Sequence, residues 1–342
     1  MMYNLKNVNF HLYVLRNGQQ LGEALPIDVP TIRMDSTAEI KKSMNATLIL
    51  PEGTDILNDS IEVNATINGE SFKLGEYYIG TSSESTDEYG LKGTVIEGYD
   101  GCYKPSRYRT ENIHHIAAGE KYTQVVQSLL IESGIEKIIV VDSPYTLKND
   151  REDWEIGTSY LEIINTLLSE INYDSLWFDS EGFARIAPKR TAVSESISHI
   201  YKSGKFSVLS ARQTKETDVF SKYNVFIAYV DNADNESLMI AKAENNDASS
   251  VLSIPRRGRI QAPPKRLDNI ASQDELQAYV DNWRAQSMIS TETLTIETEL
   301  DGAHNVLDTV QCEDQIYLET GWEIDLDAGT PMRHTLQREV FL

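Results

Sequence analysis

The chain has 342 residues, 40% of them hydrophobic and 25% charged, an ordinary globular composition with length enough for two or three domains. Its 53 acidic and 31 basic residues leave a net charge of −22, which disfavours nucleic-acid binding, since a phosphate backbone is held by clustered Lys and Arg. No apolar run approaches ~20 residues, and Met1 to Phe10 lacks a basic region followed by an apolar stretch, so neither a membrane span nor a secretory signal is expected. Folding in a cytoplasm is the expectation, with Cys102 and Cys312 as unpaired, half-buried small side chains.

Residues 1 to about 105 read as strands. Val8, Phe10, Leu12 and Val14 alternate with polar neighbours, as do Ile61, Val63, Ala65 and Ile67, so one face of each segment is buried. Asn17-Gly18 and Asn68-Gly69 mark hairpins, because both residue types tolerate positive φ. Short strands at this spacing suggest a small barrel or sandwich. Near residue 117 the period changes. Tyr122, Val125, Val126, Leu129 and Leu130 fall on one helical face, with Gly134 placed to end the helix. Ile138 to Val141 reads as a strand. Ser159 and Glu162 form a capping box before the apolar stripe Leu161, Ile164, Leu167 and Leu168. Two strands follow around Asp179-Ser180-Glu181-Gly182.

From about 198 strands dominate again. Tyr223 to Val230 alternates, and Asp231 to Asn235 reads as a polar hairpin tip. Ser272 and Glu275 form a second capping box, followed by Leu276, Tyr279, Val280 and Trp283 at helical spacing. Thr291 to Thr298 alternates, and strands run on to Leu342. The expected fold is α+β and mostly β. It has a first β domain at 1–105, an α/β middle unit at 106–197 and a second β domain at 198–342, with a helix near 272–289.

Catalytic chemistry has little support. The six histidines are His11, His114, His115, His199, His304 and His334, and none has a His-Glu-x-x-His or Cys-x-x-Cys spacing. His114-His115 is the only cluster in sequence and reads as a surface loop, since adjacent strand residues point to opposite faces. No nucleophile elbow or phosphate loop appears, and nothing marks Glu155 and Asp179 as an acid and base. Asp231 to Glu236 lacks the glycine of a calcium loop and has Lys242 where its glutamate belongs. Arg256-Arg257-Gly258-Arg259 reads either as a contact for an anion or acidic partner or, preferably, as a solvated loop balancing nearby acids. Trp154, Trp177 and Trp283 fall in apolar patterns and look like core, with Trp322 undecided. No catalytic, cofactor-binding or metal residue is assigned, and no cofactor is expected.

Four stretches resemble the tail hub family of bacteriophages and phage tail-like particles. They are Leu74-Gly75-Glu76-Tyr77-Tyr78-Ile79; Leu91 to Tyr99 with Asp100-Gly101; Trp154 to Ser159 with Trp177-Phe178-Asp179-Ser180-Glu181-Gly182; and Phe220-Ser221-Lys222-Tyr223-Asn224-Val225. Their order is similar to that of the short, enzyme-free hubs of phages infecting Gram-positive bacteria. At Leu307-Asp308-Thr309-Val310 a glycine-aspartate turn would be expected instead.

The resemblance implies a non-enzymatic structural protein of the virion tail or tail-like particle, made and assembled in the host cytoplasm. It implies two related β-barrels, a first β-barrel domain at 1–105 that strands near 198–215 can complete and a second β-barrel domain at 198–342, which form a homotrimeric, pseudo-sixfold ring capping the tail tube and joining it to the tip or baseplate. Implied partners are a tail tube or distal tail protein ring, a tip or spike protein and a tape measure protein, with no membrane insertion and no specific nucleic-acid binding. DNA or tape measure would pass through the ring, whose wall is expected to be acidic. The alternative is a cell-wall-binding or hydrolytic tail component, and a third reading is an unrelated cytoplasmic α+β enzyme.

Overall fold

The computed structural model describes residues 7–86, 90, 92–192, 197–204, 209–217, 222–230, 238–267 and 272–341. The hairpin tip expected at Asp231 to Asn235 lies outside them. The fold is mostly β and of the α+β class, as expected.

The alternating N-terminal segments form β1 (Val8–Arg16), β2 (Gln19–Pro26), β3 (Thr31–Asp35), β4 (Lys42–Ile49), β5 (Ser60–Ile67), β6 (Glu70–Thr86) and β7 (Lys92–Tyr99). Six of them run antiparallel in the order β4-β2-β1-β5-β6-β7, and β7 pairs back onto β4 from Ser43↔Tyr99 to Leu48↔Thr94, closing a barrel. Closure leaves no pair of unpaired edges along the wall. The hairpins follow the sequence: Asn17 and Gly18 have φ of 51° and 74°, and Asn68 and Gly69 have 53° and 89°, the left-handed pair that a type I′ turn requires. Leu12, Val14, Met44, Leu48, Ile61 and Val63 fill the interior.

The middle of the chain holds α1 (Tyr103–Arg107), β8 (His114–Ile116), α2 (Tyr122–Glu132), β9 (Ile138–Val140), β10 (Arg151–Trp154), α3 (Tyr160–Glu170), β11 (Trp177–Phe178) and β12 (Ala184–Ile186). The stripes of α2 and α3 share one core. The Ser159 hydroxyl accepts the Glu162 N–H at 3.1 Å, so Ser159 caps α3 as read. Asp100, at the end of β7, accepts the backbone N–H of Lys42 and of Cys102 at 3.0 and 2.9 Å. Gly101 is needed for closeness: a Cβ there would lie 2.3 Å from the Phe178 ring.

The rest comprises β13 (Ile197–Tyr201), β14 (Leu209–Thr217), β15 (Val225–Val230), β16 (Met239–Glu244), α4 (Ile254–Arg257), β17 (Lys265–Arg266), α5 (Gln273–Ser287), β18 (Ile289–Thr298), β19 (Thr309–Cys312), β20 (Gln315–Asp325) and β21 (Met332–Phe341). The chain divides into two compact units: Met1–Gln213 with Thr295–Leu336, and Thr214–Leu294 with Gln337–Leu342. In the first unit β13 runs parallel to β19, β19 antiparallel to β20, and β20 antiparallel to β3, with Trp322 opposite Met34.

In the second unit β15 lies between β16 and β17. Helix α5, capped by Ser272, runs along the edge of β16. Gln273, Gln277 and Arg284 donate to the carbonyls of Ile240, Lys242 and Glu244 at 2.9, 3.1 and 3.1 Å, satisfying every second edge acceptor. Leu276 and Val280 pack on Phe226. Trp154, Trp177 and Trp322 are buried, but Trp283 is only half-buried, its ring edge-on to Phe226 at 5.1 Å with the Lys265 ammonium 4.2 Å above it.

Candidate functional site: a buried histidine and carboxylate network

The histidine pair singled out by sequence is dispersed. His114 and His115 sit on the short strand β8 rather than in a loop, His114 half-buried against Trp154 and Tyr160, His115 exposed. Within the first unit the fold instead gathers His199 from β13, His304 from the loop after β18, and His334 from β21. Sequence reasoning missed this group because its members come from segments far apart in the chain. The one local signal was a single polar residue on each of two strand faces, Glu319 two residues from Tyr317 and His334 between Met332 and Leu336.

Glu319, on β20, lies between two imidazoles: its Oε2 is 2.6 Å from His304 Nδ1 and its Oε1 2.6 Å from His334 Nδ1. His304 Nε2 is 2.7 Å from the Tyr201 hydroxyl, and His334 Nε2 is 2.8 Å from Thr298 Oγ1. Thr298 Oγ1 is also 2.8 Å from the Glu299 carbonyl, which can only accept.

One assignment satisfies every ring nitrogen without an added proton. Tyr201 O–H donates to His304 Nε2 and Thr298 O–H to His334 Nε2, and both Nδ1–H groups donate to the Glu319 carboxylate. Burial pushes the Glu319 carboxyl up to about 7, against the hydrogen bond and charge of His334. Burial likewise pulls His334 below the ordinary histidine range and His304 down to about 3.

His199 stacks on His304, with centroids 3.6 Å apart and planes 10° from parallel. Asp301 and Asp308 flank its two nitrogens, each at 3.3 Å. Burial would lower this imidazole, but the two aspartates outweigh it and raise it to about 9.

Two overlapping triads, His199–His304–Asp308 and His304–Glu319–His334, hold potential metal ligands within 4.8 Å of one another. In the second, each Nδ1 faces its own carboxylate oxygen at hydrogen-bond distance. In the first, the two imidazoles lie in near-parallel planes. The arrangement is a buried, hydrogen-bonded histidine and carboxylate network.

A second feature of this unit is a cleft of about 740 Å³ lined by Lys42, Asp100, Tyr103, Phe178 and Asp179 among others. Lys42 is 1% exposed, and its ammonium has no hydrogen-bond partner among the described residues. Burial lowers its pKa, while Asp100, Asp179 and Asp308 act to raise it. Asp100 is engaged by backbone N–H groups and Asp179 by Phe183 N and Arg185.

In the second unit Arg259 of the basic run pairs with Glu244 at 2.6 Å, in keeping with a loop that balances nearby acids. No helix among the described residues is long and apolar enough to cross a membrane.

The geometry thus defines a mostly β, α+β protein with a closed six-stranded barrel. No family model matches the chain, and no curated protein matches it either. Its fold is shared with phage tail proteins of known structure. A tail protein from Neisseria meningitidis superposes with a TM-score of 0.61 at 14% identity, over 96% of this chain and 97% of that one. The 43 kDa tail protein of prophage MuSo2 from Shewanella oneidensis gives 0.62 at 12%, over 97% and 98%. A prophage tail protein from Listeria monocytogenes gives 0.53 at 12%, over 96% and 94%.

Proposed function

We propose that the chain is a structural hub subunit of a phage-type tail. The observation that carries this reading is the end-to-end match of its fold to three tail proteins, which spans both units and not the barrel alone. The order of the resembling motifs agrees with it. In this reading the 1–105 and 198–342 regions supply two related barrels around the 106–197 unit. Three copies then make a pseudo-sixfold ring that caps the tube and contacts the tube or distal ring, the tip and the tape measure. Threefold closure is a simple way to match a sixfold tube, because each barrel offers an equivalent surface.

The charge distribution supports an acidic wall. The first unit holds 40 acidic and 21 basic residues, the second 13 and 10. An acidic wall repels duplex DNA, which carries about one charge per ~1.7 Å.

Electron microscopy of particles carrying a tagged copy tests the reading. Three copies per particle around a lumen of net negative residues are expected. A single copy, or a lumen lined mainly by Lys and Arg, defeats it. Incubation with peptidoglycan separates the hydrolytic alternative: release abolished by one carboxylate substitution would favour an enzyme, and none is expected.

A further inference from the structure

Glu319 is fully buried, and its two oxygens meet His304 Nδ1 and His334 Nδ1 at 2.6 Å each. Two neutral imidazoles give a carboxylate hydrogen bonds but no opposite charge, and a charge taken out of water is ordinarily paired or bound to a metal. The nearby cations already stand against other acids. His199 lies between Asp301 and Asp308 at 3.3 Å from each, and Lys42 acts on Asp100, Asp179 and Asp308.

The hydroxyls around the two rings point to a metal as well. With both Nδ1–H groups donating to Glu319, the Thr298 hydroxyl gives its single hydrogen to His334 Nε2. Its oxygen then sits 2.8 Å from the Glu299 carbonyl with no hydrogen between them. With the ring hydrogen on Nε2 instead, His334 donates to Thr298 and Thr298 donates to Glu299, so both 2.8 Å contacts are hydrogen bonds. His304 Nε2–H donates in the same way to the Tyr201 hydroxyl at 2.7 Å, since a phenol oxygen also accepts. Both Nδ1 lone pairs then face the carboxylate, and such opposed acceptors are stable only around a cation.

We propose that His304 Nδ1, His334 Nδ1 and the Glu319 carboxylate bind one divalent first-row cation, of the Zn²⁺ kind, as a structural pin. The three ligand atoms lie within 4.8 Å of one another, on side chains 1%, 0% and 0% exposed. Two imidazole nitrogens and a carboxylate are a donor set that zinc takes. Zinc–ligand bonds of about 2.0–2.2 Å set tetrahedral ligands roughly 3.3 Å apart, so each imidazole and the carboxylate need to part by only roughly 0.7 Å. A metal-bound imidazole commonly donates its other N–H to an oxygen, which fixes the ring, and Tyr201 and Thr298 supply those oxygens.

The ligands come from three segments: His304 from the loop between β18 and β19, Glu319 from β20 and His334 from β21. The ion therefore fastens the 299–308 loop to two neighbouring strands. That loop holds Leu307 at a φ of 56°, a left-handed backbone that a leucine adopts only under constraint. Because all three side chains are buried, the ion enters as the chain folds, and its binding adds directly to stability. The pin goes beyond the hub reading and does not depend on it.

The full chain, unfolded in denaturant with a chelator and refolded with or without Zn²⁺, tests the pin. One equivalent of zinc per chain should survive gel filtration, and the melting temperature should rise with it. In ¹⁵N spectra of the histidine rings, zinc should move the Nδ1 signals of His304 and His334 and leave their hydrogens on Nε2. His334→Gln should abolish stoichiometric binding. Thr298→Val removes only an outer partner and should weaken affinity about 10–100-fold. His115→Gln, at an exposed ring, should leave it unchanged. If His334→Gln does not fold, the wild-type ring spectra decide alone. A refolded chain that retains no zinc, undiminished retention in His334→Gln, or hydrogen on Nδ1 of both rings with zinc present each overturns the proposal. None of these outcomes bears on the copy number that tests the hub reading.

Discussion

The two units solve the same problem, an open sheet edge, by different means. The first closes its sheet on itself, so the barrel needs no other element to satisfy its wall. The second keeps a three-stranded sheet and lays α5 along β16, using Gln273, Gln277 and Arg284 as substitutes for a missing strand. The first unit can therefore afford a large apolar interior and a buried polar network, while the second has a small core around Phe226. Barrel closure concentrates stability in backbone pairing and packing. Helix capping spreads it over exposed side chains, each worth about 1 kcal/mol.

Five substitutions sharpen or break this contrast. Leu161→Ala, at a fully buried position in the core of α2 and α3, should lower stability by about 3–5 kcal/mol in urea unfolding followed by circular dichroism. A loss near zero would mean that this core collapses to fill the cavity. Trp283→Ala in the second unit should lower it by about 2–3 kcal/mol, less than a fully buried ring, because part of that side chain is already in water. An unchanged midpoint would instead mark the ring as a partner contact.

Gly101→Ala forces a Cβ into the Phe178 ring and should cost about 1–3 kcal/mol, partly recovered by adding Phe178→Leu. Smallest are the caps: Ser159→Ala and Ser272→Ala should each cost about 1 kcal/mol. A markedly larger effect at Ser272 would show that the second unit depends on α5 more than its core implies.

Much of the fold was legible in local pattern. The Asn-Gly turns, both serine N-caps, the alternation of β18 and the stripe of α3 are each set by neighbours within a few residues, where period and turn chemistry decide. The turn at Leu307 was legible as an anomaly: a glycine was expected there, and the leucine does adopt the left-handed backbone that glycine would take without strain. Trp283 was read as core from helical spacing, yet spacing gives only the face, and the small second unit has too little mass to cover that ring. The network was legible only as a single polar residue on each of two strand faces, Glu319 and His334. His304, Glu319 and His334 meet only after β20 and β21 are in place, and a histidine on a strand carries no sign of what the next strand will bring.

The hydrogen bonds of that network converge on Glu319, so they are not independent. Deleting the Tyr201 or the Thr298 hydroxyl leaves a buried imidazole nitrogen without its partner, so Tyr201, His304, Glu319, His334 and Thr298 behave as a single cooperative element. Paired substitutions such as Tyr201→Phe with Thr298→Val should then be strongly non-additive, the second adding much less than it does alone, although their hydroxyls contact different rings. Sequence drift at these positions would be correlated, since a chain that loses one link gains little by keeping the others.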